Sequence, residues 1–255
     1  MAEIFIEKMA RLCYNEICFH LRLGGEQLVK NLHLNCIERS LPLYDTATSK
    51  IAHPQWLRIT DCSGNTFQGG DQEWYPLAWQ QRAGCGPTNG SNLLWYLSRV
   101  PGCEALCRHD ASQKEGFVQL MENVWPHITP GHMGVNSAQI FVDGAISYAA
   151  ARGVALHVDA LEVPTLPFHK PAPGDVAEFL SRHLDADLPV AFLNLSNGAL
   201  KNLDNWHWVT LVALNEPRMT AVMCDAGRLI EIDLGLWLRT TTLGGAFVVC
   251  GLNRK

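Results

Sequence analysis

Cys85 stands in Gly84-Cys85-Gly86-Pro87, and an apolar run follows with Leu93, Leu94, Leu97 and Val100 at helical spacing. Pro87 suits a first helical turn, because the N–H it lacks would have no partner there. The pattern puts Cys85 at or just before a helix N-terminus. Unpaired backbone N–H groups and the positive end of the helix dipole favour a thiolate over a thiol at such a place. The two glycines leave room for another backbone to approach the sulfur. The chemistry this suggests is attack by sulfur on a carbonyl. The plainer alternative is a buried, inert cysteine in a tight turn.

A thiol nucleophile needs a base, and the base needs a group to orient it. Of the ten histidines, His207 opens the apolar stretch Trp208-Val-Thr-Leu-Val212 after a polar turn. The next apolar stretch, Thr220 to Asp225, ends in a carboxylate. A hairpin around Asn215-Glu-Pro-Arg218, centred near residue 216, sets His207 and Asp225 side by side, with Cβ atoms about 4.5–5.5 Å apart. Asp225 would then fix the tautomer of the imidazole. Acyl chemistry also needs donors aimed at a developing oxyanion. The Cys85 N–H is one; the side-chain amide of Gln80 is the preferred second, with Gln81 as the fallback.

Other residues compete for these roles. Asp61-Cys62-Ser63-Gly64 has the order of the nucleophile motif of the NlpC/P60 cell-wall peptidases. Asn65, Thr66, Gly69 and Gly70 make a poor helix after it, so a hairpin turn is expected there instead. Cys103-x3-Cys107 with His109 nearby lacks a second Cys/His pair at zinc-finger spacing, and neither a metal nor a cofactor is expected. His132 lies in a glycine-flanked loop. Trp74, Trp79, Trp206 and Trp208 bracket the candidate site, as cleft wall or as packing.

The elements that must position these residues follow from periodicity and turn chemistry. Met1 to Leu23 reads as an amphipathic helix, and Glu26 to Leu34 as a second short segment. Trp56 to Thr60 reads as a strand before a turn at Ser63-Gly64-Asn65. Ser112 and Glu115 form a capping box for a helix to about Val124. Ser137 caps a helix over Ala138–Arg152, and a short strand runs from Val154 to Val158. Asp175 caps a helix over Val176–Leu184. Strands then follow at Val190–Leu195, Trp208–Leu214, Thr220–Asp225 and Leu229–Ile232. Asp233 caps a short helix, and Ala246–Leu252 is a last strand. Helices first and an antiparallel sheet last is an α+β arrangement. Residues 1–70 form a helical, turn-rich extension and residues 71–255 the catalytic domain.

Composition narrows the partners. The chain has 255 residues, 47% of them apolar, and a formal net charge of −5. That balance is globular and gives no support for nucleic acid or an anionic membrane as partner. No apolar stretch is long enough for a membrane span. The N-terminus lacks the continuous apolar core of a signal peptide. The nine cysteines are odd in number and irregular in spacing, which suits free thiols in a cytoplasmic protein.

Gln80-x4-Cys85-Gly-Pro87, His207-Trp-Val-Thr-Leu211 and Met223-Cys-Asp225-Ala-Gly227, in that order, resemble the papain-like cysteine peptidases, and among them the C39-like branch. The likeness runs over about residues 72–252. It implies a papain-like α+β fold, with a helical half carrying Cys85 packed on an antiparallel sheet half carrying His207 and Asp225. It implies a hydrolase that cleaves a peptide or small amide through a thioester, with Cys85, His207 and Asp225 as triad and Gln80 at the oxyanion. The same core resembles phytochelatin-synthase-type transpeptidases, so transfer to an acceptor is an alternative. A catalytically inactive, peptide-binding papain-like domain is another.

Overall fold

The computed structural model describes residues 42–252. The two N-terminal segments read as helical, and Cys13, Cys18 and Cys36, lie outside the described residues. The compact unit that follows runs Leu43–Lys255. It opens with short strands β1 (Ser49–Lys50), β2 (Arg58–Thr60) and β3 (Thr66–Gln68). Four helices come next: α1 (Ala78–Ala83), α2 (Cys85–Leu97), α3 (Lys114–Val124) and α4 (Ala138–Ala150). Strand β4 (Leu156–Val163) and helix α5 (Pro173–Asp185) lead into β5 (Val190–Asn194), β6 (His207–Asn215), β7 (Thr220–Asp225) and β8 (Arg228–Asp233). Helix α6 (Leu234–Thr240) and strand β9 (Gly245–Leu252) complete the α+β order.

Seven strands make one antiparallel sheet in the order β4-β9-β5-β6-β7-β8, with β1 pairing the far part of β6. Strands β2 and β3 form a separate hairpin. The stretch read as an extension thus supplies one strand to the main sheet.

The sheet is covered on both faces. Along β5, Val190 and Phe192 join one core while Ala191 and Leu193 join the other. This is the two-residue period of a strand with apolar material on each side. On the first face Phe192 packs between Phe247 and Trp237, at ring-centroid distances of 4.9 and 4.7 Å. Helix α5 closes that face with Val176, Leu180 and Leu184. On the second, Leu93 and Leu94 of α2, Phe117 and Leu120 of α3, and Phe141 of α4 pack together with Trp208 and Val248 of the sheet.

Local chemistry sets most of the boundaries. The Ser137 hydroxyl accepts from the Ile140 N–H and starts α4; Asp233 accepts from the Leu236 N–H at 2.7 Å and starts α6. Four expectations need correction. Trp56 and Leu57 belong to a 3-10 turn over Pro54–Leu57, so the strand read from Trp56 starts only at Arg58. The Ser112–Glu115 capping box does not form, because the Ser112 hydroxyl donates to Asp110 at 2.6 Å and α3 starts at Lys114. Asp175 lies inside α5, which Pro173 opens, and accepts from the Ala172 N–H at 3.0 Å. Strand β4 does not stop at Val158: it pairs with β9 from Leu156 to Val163. Its polar residues mark an edge strand, which an apolar run alone truncates. No helix among the described residues is long and apolar enough to cross a membrane.

Candidate active site

Helix α2 begins at Cys85 itself, with Gly84 as N-cap and no side chain capping it. Pro87 occupies the third helical position, where a free N–H is not needed. Every residue from Gly86 to Leu97 is buried, so α2 is a central helix with its first residue at the rim. The flanking glycines serve packing more than approach to the sulfur. A Cβ on Gly84 would sit 2.4 Å from the Gln80 carbonyl and 2.7 Å from the Tyr75 ring; one on Gly86 would meet Val135 at 2.6 Å.

One face of this buried helix is polar. Cys85, Thr88, Asn89 and Asn92 follow the spacing i, i+3, i+4, i+7. Asn92 donates to the Thr210 hydroxyl at 2.9 Å and accepts from the Gly70 N–H at 2.8 Å. These bonds tie α2 to β6 and to the segment before α1.

His207 begins β6 and Asp225 ends β7. His207 Nε2 and an Asp225 carboxylate oxygen are 2.8 Å apart. The pairing expected from the sequence holds, but its register does not. The hairpin closes with Asn215 opposite Thr220, and the register shifts between Leu211 and Ala213. Below the shift Thr210 faces Cys224, which places Asp225 opposite Val209 and two residues from His207. Without the shift Asp225 would face Thr210, and His207 would lie on the other face of the sheet. The one-residue bulge at Val212 therefore brings the pair together. Beyond Asp225, Ala226 (φ 46°) and Gly227 (φ 71°) make a two-residue hairpin loop of the kind that needs positive φ at both positions.

With Nε2 turned to Asp225, Nδ1 is the nitrogen left for Cys85. Burial pulls the His207 imidazole down; the hydrogen bond to Asp225, the Asp225 charge and the nearby Cys85 outweigh burial and push it up to about 10. The Cys85 thiol also lies 3.9 Å from the Trp206 carbonyl, on a residue with φ 55°. Cys85, His207 and Asp225 line one cavity of about 230 Å³, along with Asn89, Asp71, Gln72 and Asp204. A larger cavity of about 730 Å³ lies elsewhere, between Leu97, His157, Arg182 and Leu252, and none of the described cysteines lines it.

The two glutamines part company. The Gln81 amide donates to the Tyr75 carbonyl at 2.8 Å and to the Glu73 carbonyl at 3.2 Å, so its donors are committed. Gln80 makes no side-chain hydrogen bond among the described residues, and its buried Oε1 has no partner. Gln80 is not among the residues that line the Cys85 cavity, and of the remaining candidates Trp208 alone lines it. Cys62 is exposed on the β2–β3 turn, where Asp61 accepts from the Ser63 and Asn65 N–H groups. The Cys107 sulfur lies 3.8 Å from His109 Nε2, in a separate cavity. His132 is exposed on a tight turn. Trp208 both packs, its indole N–H bonded to the Val135 carbonyl at 2.6 Å, and lines the Cys85 cavity, whereas Trp79 and Trp206 are exposed. Asn89, Asn92 and Gln72 escape the sequence reading; the polar stripe inside an otherwise buried helix is the signal that could have found the first two.

No protein-family model matches the sequence, and no curated protein matches it. Among solved structures, the chain is similar to a double glycine motif protease from an AMS/PCAT transporter, solved in complex with the leader peptide. Identity there is 15%, over 65% of this chain and 82% of that one, with a TM-score of 0.35. It is also similar to the Pseudomonas avirulence protein AvrPphB, at 9% identity over 66% of this chain and 91% of that one, with a TM-score of 0.32.

Proposed function

We propose that this chain is a papain-like cysteine hydrolase that opens an amide bond through a thioester at Cys85. The observation that carries the reading is the convergence of a cysteine at an uncapped helix N-terminus with a half-buried His207–Asp225 pair at 2.8 Å, in one cavity. Cys85 as thiolate attacks the carbonyl carbon, forming a C–S bond and an oxyanion. The Cys85 N–H and the uncommitted Gln80 amide donate to that oxyanion. The C–N bond then breaks, and the departing nitrogen takes a proton from the His207 imidazolium. His207, now neutral, takes a proton from water as the water attacks the thioester, and Cys85 leaves as thiolate. Asp225 holds the ring so that Nδ1 faces the sulfur and stabilises its charged form.

Acylation by p-nitrophenyl acetate tests this without knowledge of the natural substrate. A burst of about one p-nitrophenolate per chain is expected, with the acetyl group mapped to Cys85 by mass spectrometry. Cys85→Ala should remove the burst. An acetyl group on another residue, or no burst at all, would contradict the proposed nucleophile.

A further inference from the structure

We infer that the cavity beside Cys85 takes a basic side chain, so that the substrate carries a guanidinium or ammonium group next to the scissile amide. This rests on the assignment of Cys85 as nucleophile. The cavity, about 230 Å³, falls below the roughly 300–1,000 Å³ of sites for drug-sized ligands and suits a single side chain. Its wall carries Asp71, Glu73 and Asp204 besides Asp225. Asp225 is committed to His207, and the other three make no ion pair among the described residues. Arg228 is the one arginine or lysine on that wall. Apart from the His207–Asp225 pair and Arg228, the acidic and basic side chains on that wall are all carboxylates, so negative charge is in excess.

A second observation points the same way. Asn89 is 2% exposed, lines the cavity, and its Oδ1 accepts no hydrogen bond among the described residues. Gln72 Oε1 is also buried without a partner, while its Nε2 donates to the Gln81 carbonyl at 2.8 Å, which fixes the orientation of the amide. The Thr88 hydroxyl on the same wall is also unpartnered and can donate or accept; with two amide acceptors and three carboxylates beside it, acceptors outnumber donors and favour a ligand rich in donors. Guanidinium and ammonium groups bring several N–H donors and no acceptor. A carboxylate or an apolar group would leave the two amide oxygens unsatisfied, and a carboxylate would also face like charge.

Two chloromethyl ketones of one peptide decide the matter, one with arginine and one with citrulline next to the reactive carbon. Citrulline keeps the shape and loses the charge. In both, the thiolate forms the C–S bond and chloride leaves. At about 20 mM salt the arginine compound should alkylate Cys85 about tenfold faster or more, and the ratio should shrink at about 0.5 M salt. It should fall toward one in a Glu73→Gln/Asp204→Asn variant. Equal rates, or a faster citrulline compound, would overturn the inference while leaving the nucleophile intact. Failure of both compounds and of iodoacetamide to modify Cys85 would overturn the nucleophile and the inference together.

Discussion

His207 carries the electrostatics of the site. Its imidazole is partly shielded from water, yet Asp225 and Cys85 push its pKa up to about 10. A group raised on folding stabilises the fold in full below its unfolded value, near 6.5, and that contribution is lost as pH rises through about 10. Asp225→Asn should move the His207 titration down toward its ordinary range, read by imidazole NMR, and carry the alkaline limb of activity with it. An unmoved titration would count against the pair. The same variant should lower kcat/KM by roughly 10²-fold or more. Gln80→Ala should slow acylation by about 10²-fold through loss of an oxyanion donor. Its test is whether kcat falls with KM little changed. Cys85, His207 and Asp225 were legible because each stands at the end of an element, where turn residues and an apolar run mark the place. Gln80 and Gln81 were not separable in the sequence, since only the fold brings the Glu73 and Tyr75 carbonyls to one of them. Gln72 likewise has no spacing to announce it.

Helix α2 and the β6–β7 hairpin are the two elements whose placement the site depends on. Asn92 joins them to the segment at Gly70. Asn92→Ala leaves the Gly70 N–H and the Thr210 hydroxyl without their partner and should cost about 2–4 kcal/mol, read as a lower urea midpoint. An unchanged midpoint would mean that water replaces the amide at no cost. The hairpin itself was legible from Asn215-Glu-Pro-Arg218, but the bulge at Val212 was not. Leu211-Val-Ala-Leu214 is apolar throughout because helices cover both faces of the sheet, so no alternation shows where a residue is inserted. The missed capping box has a similar cause. Asp110, close in sequence, takes the Ser112 hydroxyl before the helix can.

The unit is built on one seven-stranded sheet with a core on each face, and the site lies where the helical half meets the ends of β6 and β7. Phe192, fully buried between Phe247 and Trp237, anchors the core opposite α2. Phe192→Ala should destabilise the fold by about 3–5 kcal/mol, measured by urea unfolding. The α+β class was legible in the order of helices and strands. The role of Ser49–Lys50 was not, because two residues pairing with Ala213 and Leu214 carry no pattern of their own. The most direct test of the central claim, that the two halves bring thiolate and imidazolium together, is brief iodoacetamide labelling at about pH 6 with every cysteine mapped by mass spectrometry. Cys85 should be alkylated before any other described cysteine. Cys224 and Cys250, whose thiols burial pushes up to about 12, should stay silent. His207→Ala should abolish the lead of Cys85. Labelling that favours exposed Cys62, or that leaves Cys85 equally reactive with and without His207, would contradict the pairing.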